Sequence, residues 1–225
     1  MKVEISEKLK GKLSVIRSKL LNGERLFDFA KRHSYPLTTV DLLSNQVLSK
    51  PTEDMINTQL SQTQTSHLKD DRNIFEYDMN LIAGWVVEDY IVENTFGVFK
   101  LNGSDKKRNI LISEITNLSD FKNIVNNKDT ELHTEYFIRN NNQKILLRDN
   151  KYKHLLEAKA QILIVNIPSR TFLIKDVSDF TTEFIPNYEY YGGKDVYALS
   201  LQDIDKQFKP LDYLFRYCEN LHINK

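Results

Sequence analysis

The chain has 225 residues, of which 40% are hydrophobic and 28% charged, so it is long enough and apolar enough to bury a sizeable core. Lysine plus arginine balance aspartate plus glutamate at 31 each, so the overall charge does not indicate a polyanionic partner. A single cysteine, Cys218, excludes an intramolecular disulfide and a thiolate metal cage and favours a reducing compartment, for which the cytoplasm is the simplest location.

The amino-terminal region has the pattern of a series of helices. Apolar residues recur at helical spacing at Ile5, Leu9, Leu13, Ile16 and Leu20. Asn22-Gly23 predicts the end of this first helix. Two more helices are predicted, from Glu24 to His33 and from Val40 to Ser49, before a polar stretch that is either a frayed helix or a linker. Residues 1–70 are therefore expected to form a helical region, and residues 71–225 a separate core.

The core region changes from a helical to a largely strand-like pattern. The predicted elements, in chain order, are a helix from Met79 to Asn94, a hairpin of Phe96–Leu101 with Asn109–Thr116, a helix or irregular segment at 118–126, a half-buried strand from Glu131 to Arg139, a turn at 140–143, a strand from Lys144 to Leu147, a helix from Tyr152 to Ala160, a central strand from Gln161 to Ile167, and strands at 170–177 and 196–201. This order predicts an α/β fold with a mixed sheet flanked by helices. The charged amino terminus and the absence of a long apolar run argue against export and membrane insertion.

Three glutamates carry the candidate chemistry. Glu88 falls on an apolar helix face, and Glu114 shares a strand face with an apolar run. Glu135 lies on the polar face of its strand with Glu131 and His133. A carboxylate in apolar surroundings is costly unless it is paired, protonated or bound to a ligand. These acids are therefore either structural residues at the edge of the core and on a solvated stripe, or ligands of a divalent cation such as magnesium.

The pattern resembles the PD-(D/E)XK nuclease superfamily over roughly residues 79–177. The resemblance is carried by Gly-Trp-Val-Val-Glu-Asp at 84–89, by Thr-Glu-Tyr-Phe at 134–137, and by the helix-to-strand run at 152–166. It implies a restriction-endonuclease-like fold in which Glu88 is the helix acid and Glu114 and Glu135 are the metal ligands. The implied activity is magnesium-dependent hydrolysis of DNA, as in a restriction enzyme.

The match departs from the family pattern at two places. The chain has no Pro-Asp pair, and Phe137 stands where the family has a lysine. Arg139 on the same strand face, or Lys144 across the following turn, would then supply the missing positive charge. The alternative is a site that has lost activity.

A non-catalytic module is the competing interpretation. The helices at 24–33 and 39–49 could form a helix-turn-helix, although few basic residues are present on the second helix to bind phosphates. An ordinary helical hairpin explains the same pattern. A module of this kind would bind nucleic acid or another protein, and a homodimer is compatible with either function.

Overall fold

The computed structural model describes residues 6–35, 74–103, 118–138, 144–202 and 204–223. The chain divides into two compact units, one comprising residues 1–90 and 107–115 and the other residues 91–106 and 116–225. The boundary predicted near residue 70 lies outside the described residues. The division between the units falls inside a helix, between Tyr90 and Ile91.

The described part of the first unit is helical. It contains helix α1 (Glu7–Lys19), helix α2 (Leu26–Arg32) and most of helix α3 (Ile74–Asn94). These helices confirm the three predictions at these positions. The helix predicted at 40–49, and with it the second helix of the helix-turn-helix interpretation, lies outside the described residues.

Helix α1 begins and ends where local sequence signals place it. The Ser6 hydroxyl accepts a hydrogen bond from the Leu9 backbone N–H at 3.3 Å, which satisfies one of the free donors of the first turn. Past its end, Asn22 and Gly23 adopt φ angles of 45° and 90°. Glycine and asparagine tolerate this left-handed conformation better than other residues, so the chain turns away from the helix here.

The second unit consists of nine strands and two helices over its described residues, in addition to the end of α3. In chain order these are β1 (Phe99–Leu101), β2 (Phe121–Asn123), β3 (Lys128–Glu135), β4 (Lys144–Arg148), α4 (Asp149–Glu157), β5 (Gln161–Asn166), β6 (Thr171–Asp176), β7 (Thr182–Tyr188), β8 (Lys194–Ser200), β9 (Lys209–Pro210) and α5 (Leu211–Ile223). Six strands form a mixed sheet in the order β1-β2-β3-β5-β6-β9, and a smaller sheet has the order β4-β8-β7. The chain is therefore an α/β protein, as predicted.

Strand β5 is the centre of the large sheet. All six of its residues are buried, and it pairs with β3 in parallel and with β6 in antiparallel orientation. Ile162 and Ile164 pack on one face in a core that includes Leu155 of α4 and Leu199 of β8. A strand covered on both faces needs apolar residues at every position, which is why a continuous apolar run predicted it correctly.

Two predicted strand pairings differ from the structure. The partner of β1 is β2, which lies in a segment predicted to be helical or irregular, whereas residues 109–116 lie outside the described residues. Strand β4 was expected to form a hairpin with the Glu131–Arg139 strand. It pairs instead with β8 in the smaller sheet, with Lys144 opposite Ser200. Strand β7 and helix α5 were not predicted.

Cys218 lies in helix α5, and its side chain is completely buried. Burial disfavours the thiolate and raises the pKa of the Cys218 thiol to about 11. Because the thiolate is the reactive form, a thiol in this state is a poor nucleophile at neutral pH.

We therefore expect Ellman's reagent to label Cys218 of the native protein very slowly at pH 8. In 6 M guanidinium it should label Cys218 at the rate of an exposed cysteine in a peptide, whose thiol has a pKa of about 8.5. The chain has one cysteine, so absorbance reports this site alone. Rapid labelling of the native protein would show that the Cys218 side chain is accessible to solvent.

In the parts of the chain that the structure describes, no helix combines the length and the apolar character needed to cross a membrane.

Candidate functional site

The two faces of the six-stranded sheet carry different side chains. Strand register places Lys122 beside Asp129, and alternation along β3 places Glu131, His133 and Glu135 on that same side. We call this side the carboxylate face. The opposite side carries Phe99, Asn123, Gln161, Phe172 and Ile174, and residues of helix α5 lie against it. We call this second side the α5 face.

Glu131 forms an ion pair with a lysine from helix α4. Its Oε2 atom lies 2.8 Å from Lys151 Nζ, and both side chains are largely buried, with 15% and 20% of their surface exposed. The Lys151 ammonium also donates to the Leu118 carbonyl oxygen at 3.1 Å. A lysine held by two oxygens at a partly buried position is fixed in place, unlike a lysine on an open surface.

Asp120 lies at the same point of the sheet as Glu131. Strand β2 pairs Phe121 with Thr130, so extending the register by one residue sets Asp120 opposite Glu131. On its other side, Asp120 extends the pairing of β2 with β1, because the Asn102 N–H donates to the Asp120 carbonyl oxygen at 2.8 Å. Asp120 Oδ2 accepts a hydrogen bond from the Leu132 N–H at 2.6 Å, which orients its carboxylate. Directly opposed residues have Cβ atoms about 4.5–5.5 Å apart. The extended register and the Glu131–Lys151 ion pair thus place two carboxylates and a lysine on the same part of this face.

Sequence reasoning missed Asp120 as a candidate. The pair Asn126-Asn127 favours a turn, and a turn there predicts a hairpin between the segments before and after it. In the structure Asn127 has a φ angle of 55°, and the turn joins Asn123 to Lys128. Three residues further from the turn on each strand, the same register pairs Asp120 with Glu131.

The predicted site residues belong to different units of the structure or lie outside the described residues. Glu88 is buried in α3 and belongs to the first unit, whereas Glu135 belongs to the second. Glu114 and Arg139 lie outside the described residues. Lys144 is in the smaller sheet, where its ammonium lies 2.6 Å from the Glu183 carboxylate. The convergence of Glu88, Glu114, Glu135, Arg139 and Lys144 on one site therefore stays a prediction.

Glu135 is part of a buried hydrogen-bond network at the end of β3. Its side chain is 4% exposed, and its Oε2 accepts a hydrogen bond from Asn166 Nδ2 at 2.9 Å. The same nitrogen donates to the Phe137 carbonyl at 3.2 Å, while Asn166 Oδ1 accepts from the Ser169 N–H and hydroxyl at 3.0 and 2.7 Å. Glu135 is thus a buried structural partner of Asn166, although it was expected on a polar strand face.

A second buried acid in the first unit was expected to lie away from the apolar side of its helix. Asp89, next to Glu88 in α3, is only 5% exposed. Its Oδ2 accepts a hydrogen bond from the Tyr35 hydroxyl at 2.6 Å and lies 3.4 Å from His33 Nδ1. These contacts join α3 to the end of α2, so Asp89 stabilises the packing of the helices.

Within the described ranges, no group of three or more histidine, cysteine, aspartate and glutamate side chains is placed to hold a metal ion. The candidate site is therefore the pair of acids Asp120 and Glu131 on the carboxylate face, together with Lys151, which is paired with Glu131. No family model, no curated protein and no solved structure matches this chain.

Proposed function

We propose that this chain is a DNA endonuclease with a restriction-endonuclease-like core, in which Asp120, Glu131 and Lys151 form the active site. The observation that carries the proposal is the placement of two opposed carboxylates and one fixed lysine on the carboxylate face. Neighbouring carboxylates can hold a divalent cation for hydrolysis of a phosphodiester, and a lysine beside them can stabilise negative charge on the phosphate. A restriction system is one setting for such an enzyme.

The order of elements supports this proposal. Helix α3 precedes the antiparallel strands β1, β2 and β3, and helix α4 then leads to strand β5. Between β3 and α4 the chain also passes through β4 of the smaller sheet. Apart from that strand, the order is similar to the helix, strand meander, helix and further strand of the superfamily that the sequence resembles. The two acids are contributed by the meander and the lysine by the following helix.

A two-carboxylate site fits magnesium. This ion is commonly bound by one or two carboxylates and completes its shell with water and substrate phosphate oxygens, so a third protein ligand is not required. Asp120 and Glu131 would hold the ion. Bound there, magnesium would lower the pKa of a coordinated water and offset the charge of the phosphate.

The residues of the chain itself would orient and neutralise the substrate. The hydrogen bond from the Leu132 N–H holds the Asp120 carboxylate at a fixed angle. Lys151 places a positive charge at the site, where it would stabilise negative charge that develops on the phosphate. Lys100 and Lys122 are cross-strand neighbours on the carboxylate face and would contact the DNA backbone beside the acids.

Substitution of the two acids tests this site. We expect Asp120→Asn and Glu131→Gln each to lower magnesium-dependent cleavage of double-stranded DNA by roughly tenfold or more, because each removes a charged ligand. Lys151→Met should lower cleavage while leaving magnesium affinity nearly unchanged. Cleavage would be measured by gel electrophoresis of plasmid and linear DNA, and magnesium affinity by isothermal titration calorimetry.

A second carboxylate–lysine pair provides the matched control. Glu183→Gln and Lys144→Met disrupt the pair in the smaller sheet, which joins the same two residue types. These variants should cleave DNA like the wild-type protein. Normal cleavage by Glu131→Gln, with a melting temperature equal to wild type, would contradict the proposed site.

A non-catalytic nucleic-acid-binding or protein-interaction module is the second candidate. It is favoured by the pairing of Glu131 with Lys151, because a carboxylate neutralised in this way also serves as a purely structural residue. The same DNA preparation separates the two functions. Retarded migration of DNA in a native gel, with no cleavage in magnesium or manganese, would support binding alone.

A further inference from the structure

A cleft of about 360 Å³ opens on the α5 face, between the sheet and helix α5. This face is the one opposite Asp120, Glu131 and Lys151, so the cleft is independent of the proposed active site. Its volume lies within the range of about 300–1,000 Å³ that is typical of small-molecule sites. All of the residues that line it belong to the second unit.

The walls of the cleft are mainly aromatic and aliphatic. Phe99 and Phe172 contribute from the sheet, and Tyr213 and Tyr217 contribute from α5. Both tyrosines are about half exposed, although they lie on a helix that packs against the sheet. Flat apolar walls of this kind favour a planar ring as ligand, because aromatic rings gain from stacking as well as from burial.

Asn123 provides a fixed hydrogen-bond donor in the cleft. Its side chain is only 7% exposed, and its Oδ1 atom accepts a hydrogen bond from the Val125 N–H at 3.0 Å. This bond fixes the plane of the amide. In the described part of the chain, Asn123 Nδ2 donates to no protein atom. Because Asn123 lines the cleft, a ligand with a ring nitrogen or carbonyl oxygen would supply an acceptor for this amide.

The neighbouring amides are already fixed by each other. Asn126 Nδ2 donates to Gln161 Oε1 at 3.1 Å, and Gln161 Nε2 donates to the Thr130 hydroxyl at 2.9 Å. Asn126 and Gln161 both line the cleft. The polar end of the cleft is therefore rigid before any ligand arrives, which lowers the entropy lost on binding.

Lys209 places a positive charge at the cleft. Its ammonium lies 5.0 Å from the centre of the Tyr213 ring, and it forms no ion pair with any described carboxylate. The cleft thus combines stacking walls, one donor and one cation. A neutral apolar ligand would leave both polar groups unused, whereas an aromatic ring with acceptor atoms and an anionic group would use all three.

We propose that the cleft on the α5 face binds a nucleoside monophosphate, with the base between the aromatic walls, a base acceptor on Asn123 Nδ2 and the phosphate on Lys209. The ligand is either a free nucleotide or a terminal nucleotide of a nucleic-acid strand, since both present the same chemistry. Sites on single-stranded nucleic acid use the same combination of aromatic stacking and positive charge.

Titration of the full chain with the free 5′-monophosphates, the matching nucleosides and a four-nucleotide single strand tests this proposal. We expect saturable one-to-one binding of at least one monophosphate by calorimetry, and binding of its nucleoside weaker by roughly tenfold or more. If the tetranucleotide binds more tightly than the free monophosphate, the strand terminus is the ligand; if not, the free nucleotide is.

Two variants remove the proposed ligand contacts of Asn123 and Lys209 and are expected to fold like the wild-type chain. Asn123→Asp keeps the acceptor for the Val125 N–H but replaces the donor with a negative charge, and Lys209→Met removes the charge but keeps a long unbranched side chain. Each should weaken binding by roughly tenfold or more. Lys175→Met is the matched control, because Lys175 also lies near an aromatic ring, 5.8 Å from the centre of Phe180, but on the carboxylate face. Absence of binding by the folded wild-type chain, equal binding of nucleoside and monophosphate, or unchanged binding by both cleft variants would overturn the proposal.

Discussion

Replacement of Leu163 by aspartate is expected to unfold the second unit. Leu163 is fully buried in β5, with Leu132 of β3 and Ile174 of β6 as its cross-strand neighbours. A carboxylate at this position would have apolar residues on both sides. Burying an unpaired charge costs several kcal/mol, a large part of the roughly 5–15 kcal/mol that stabilises a domain.

Circular dichroism and size-exclusion chromatography would detect this outcome as loss of the cooperative thermal transition and of the compact elution volume. Leu163→Met is the volume-conserving control and should cost less than about 1.5 kcal/mol. Leu156→Asp places the same charge on α4, where the side chain is 41% exposed, and should fold normally. A soluble Leu163→Asp protein with a cooperative melt near the wild-type temperature would show that β5 is not central.

Replacement of Asn166 by alanine is expected to lower the free energy of unfolding by about 3 kcal/mol or more, because each buried group left without its partner costs about 1–3 kcal/mol. Asn166 makes hydrogen bonds to Glu135, to the Phe137 carbonyl and to the backbone and hydroxyl of Ser169. Alanine removes all of them. The Glu135 carboxylate, 4% exposed, would lose the donor on its Oε2 atom.

Urea denaturation followed by circular dichroism would give the free energies. Ser169→Ala is one control, because it removes the hydroxyl with its bonds to Asn166 Oδ1 and to the exposed Thr171 hydroxyl but leaves the backbone bond, so we expect a loss of about 1 kcal/mol. Glu135→Gln tests the charge, since glutamine keeps a carbonyl acceptor for Asn166. If Asn166→Ala is as stable as Ser169→Ala, the network does not hold the ends of β3 and β5 together.

Local signals in the sequence determined helices α1 to α4 and the buried strand, but not helix α5. The helical spacing of Leu9, Leu13 and Ile16 gave α1, and Asn22-Gly23 gave its end. The run at 161–167 predicts a central strand because no polar residue except Gln161 and Asn166 interrupts it, and the strand observed there is Gln161–Asn166. Such features depend on neighbours a few residues away, so a single segment contains the information.

The candidate site and the position of β4 were decided by the tertiary structure alone. Glu131 meets Lys151 only because α4 packs across the sheet after the chain has passed through β4, in a different sheet. Glu131 and Glu135 share one strand face and a similar sequence context. Glu135 nevertheless accepts a hydrogen bond from Asn166, whereas Glu131 forms an ion pair with Lys151. Strand alternation gives the face on which a side chain lies, but its partners come from segments distant in the chain, and no local pattern specifies them.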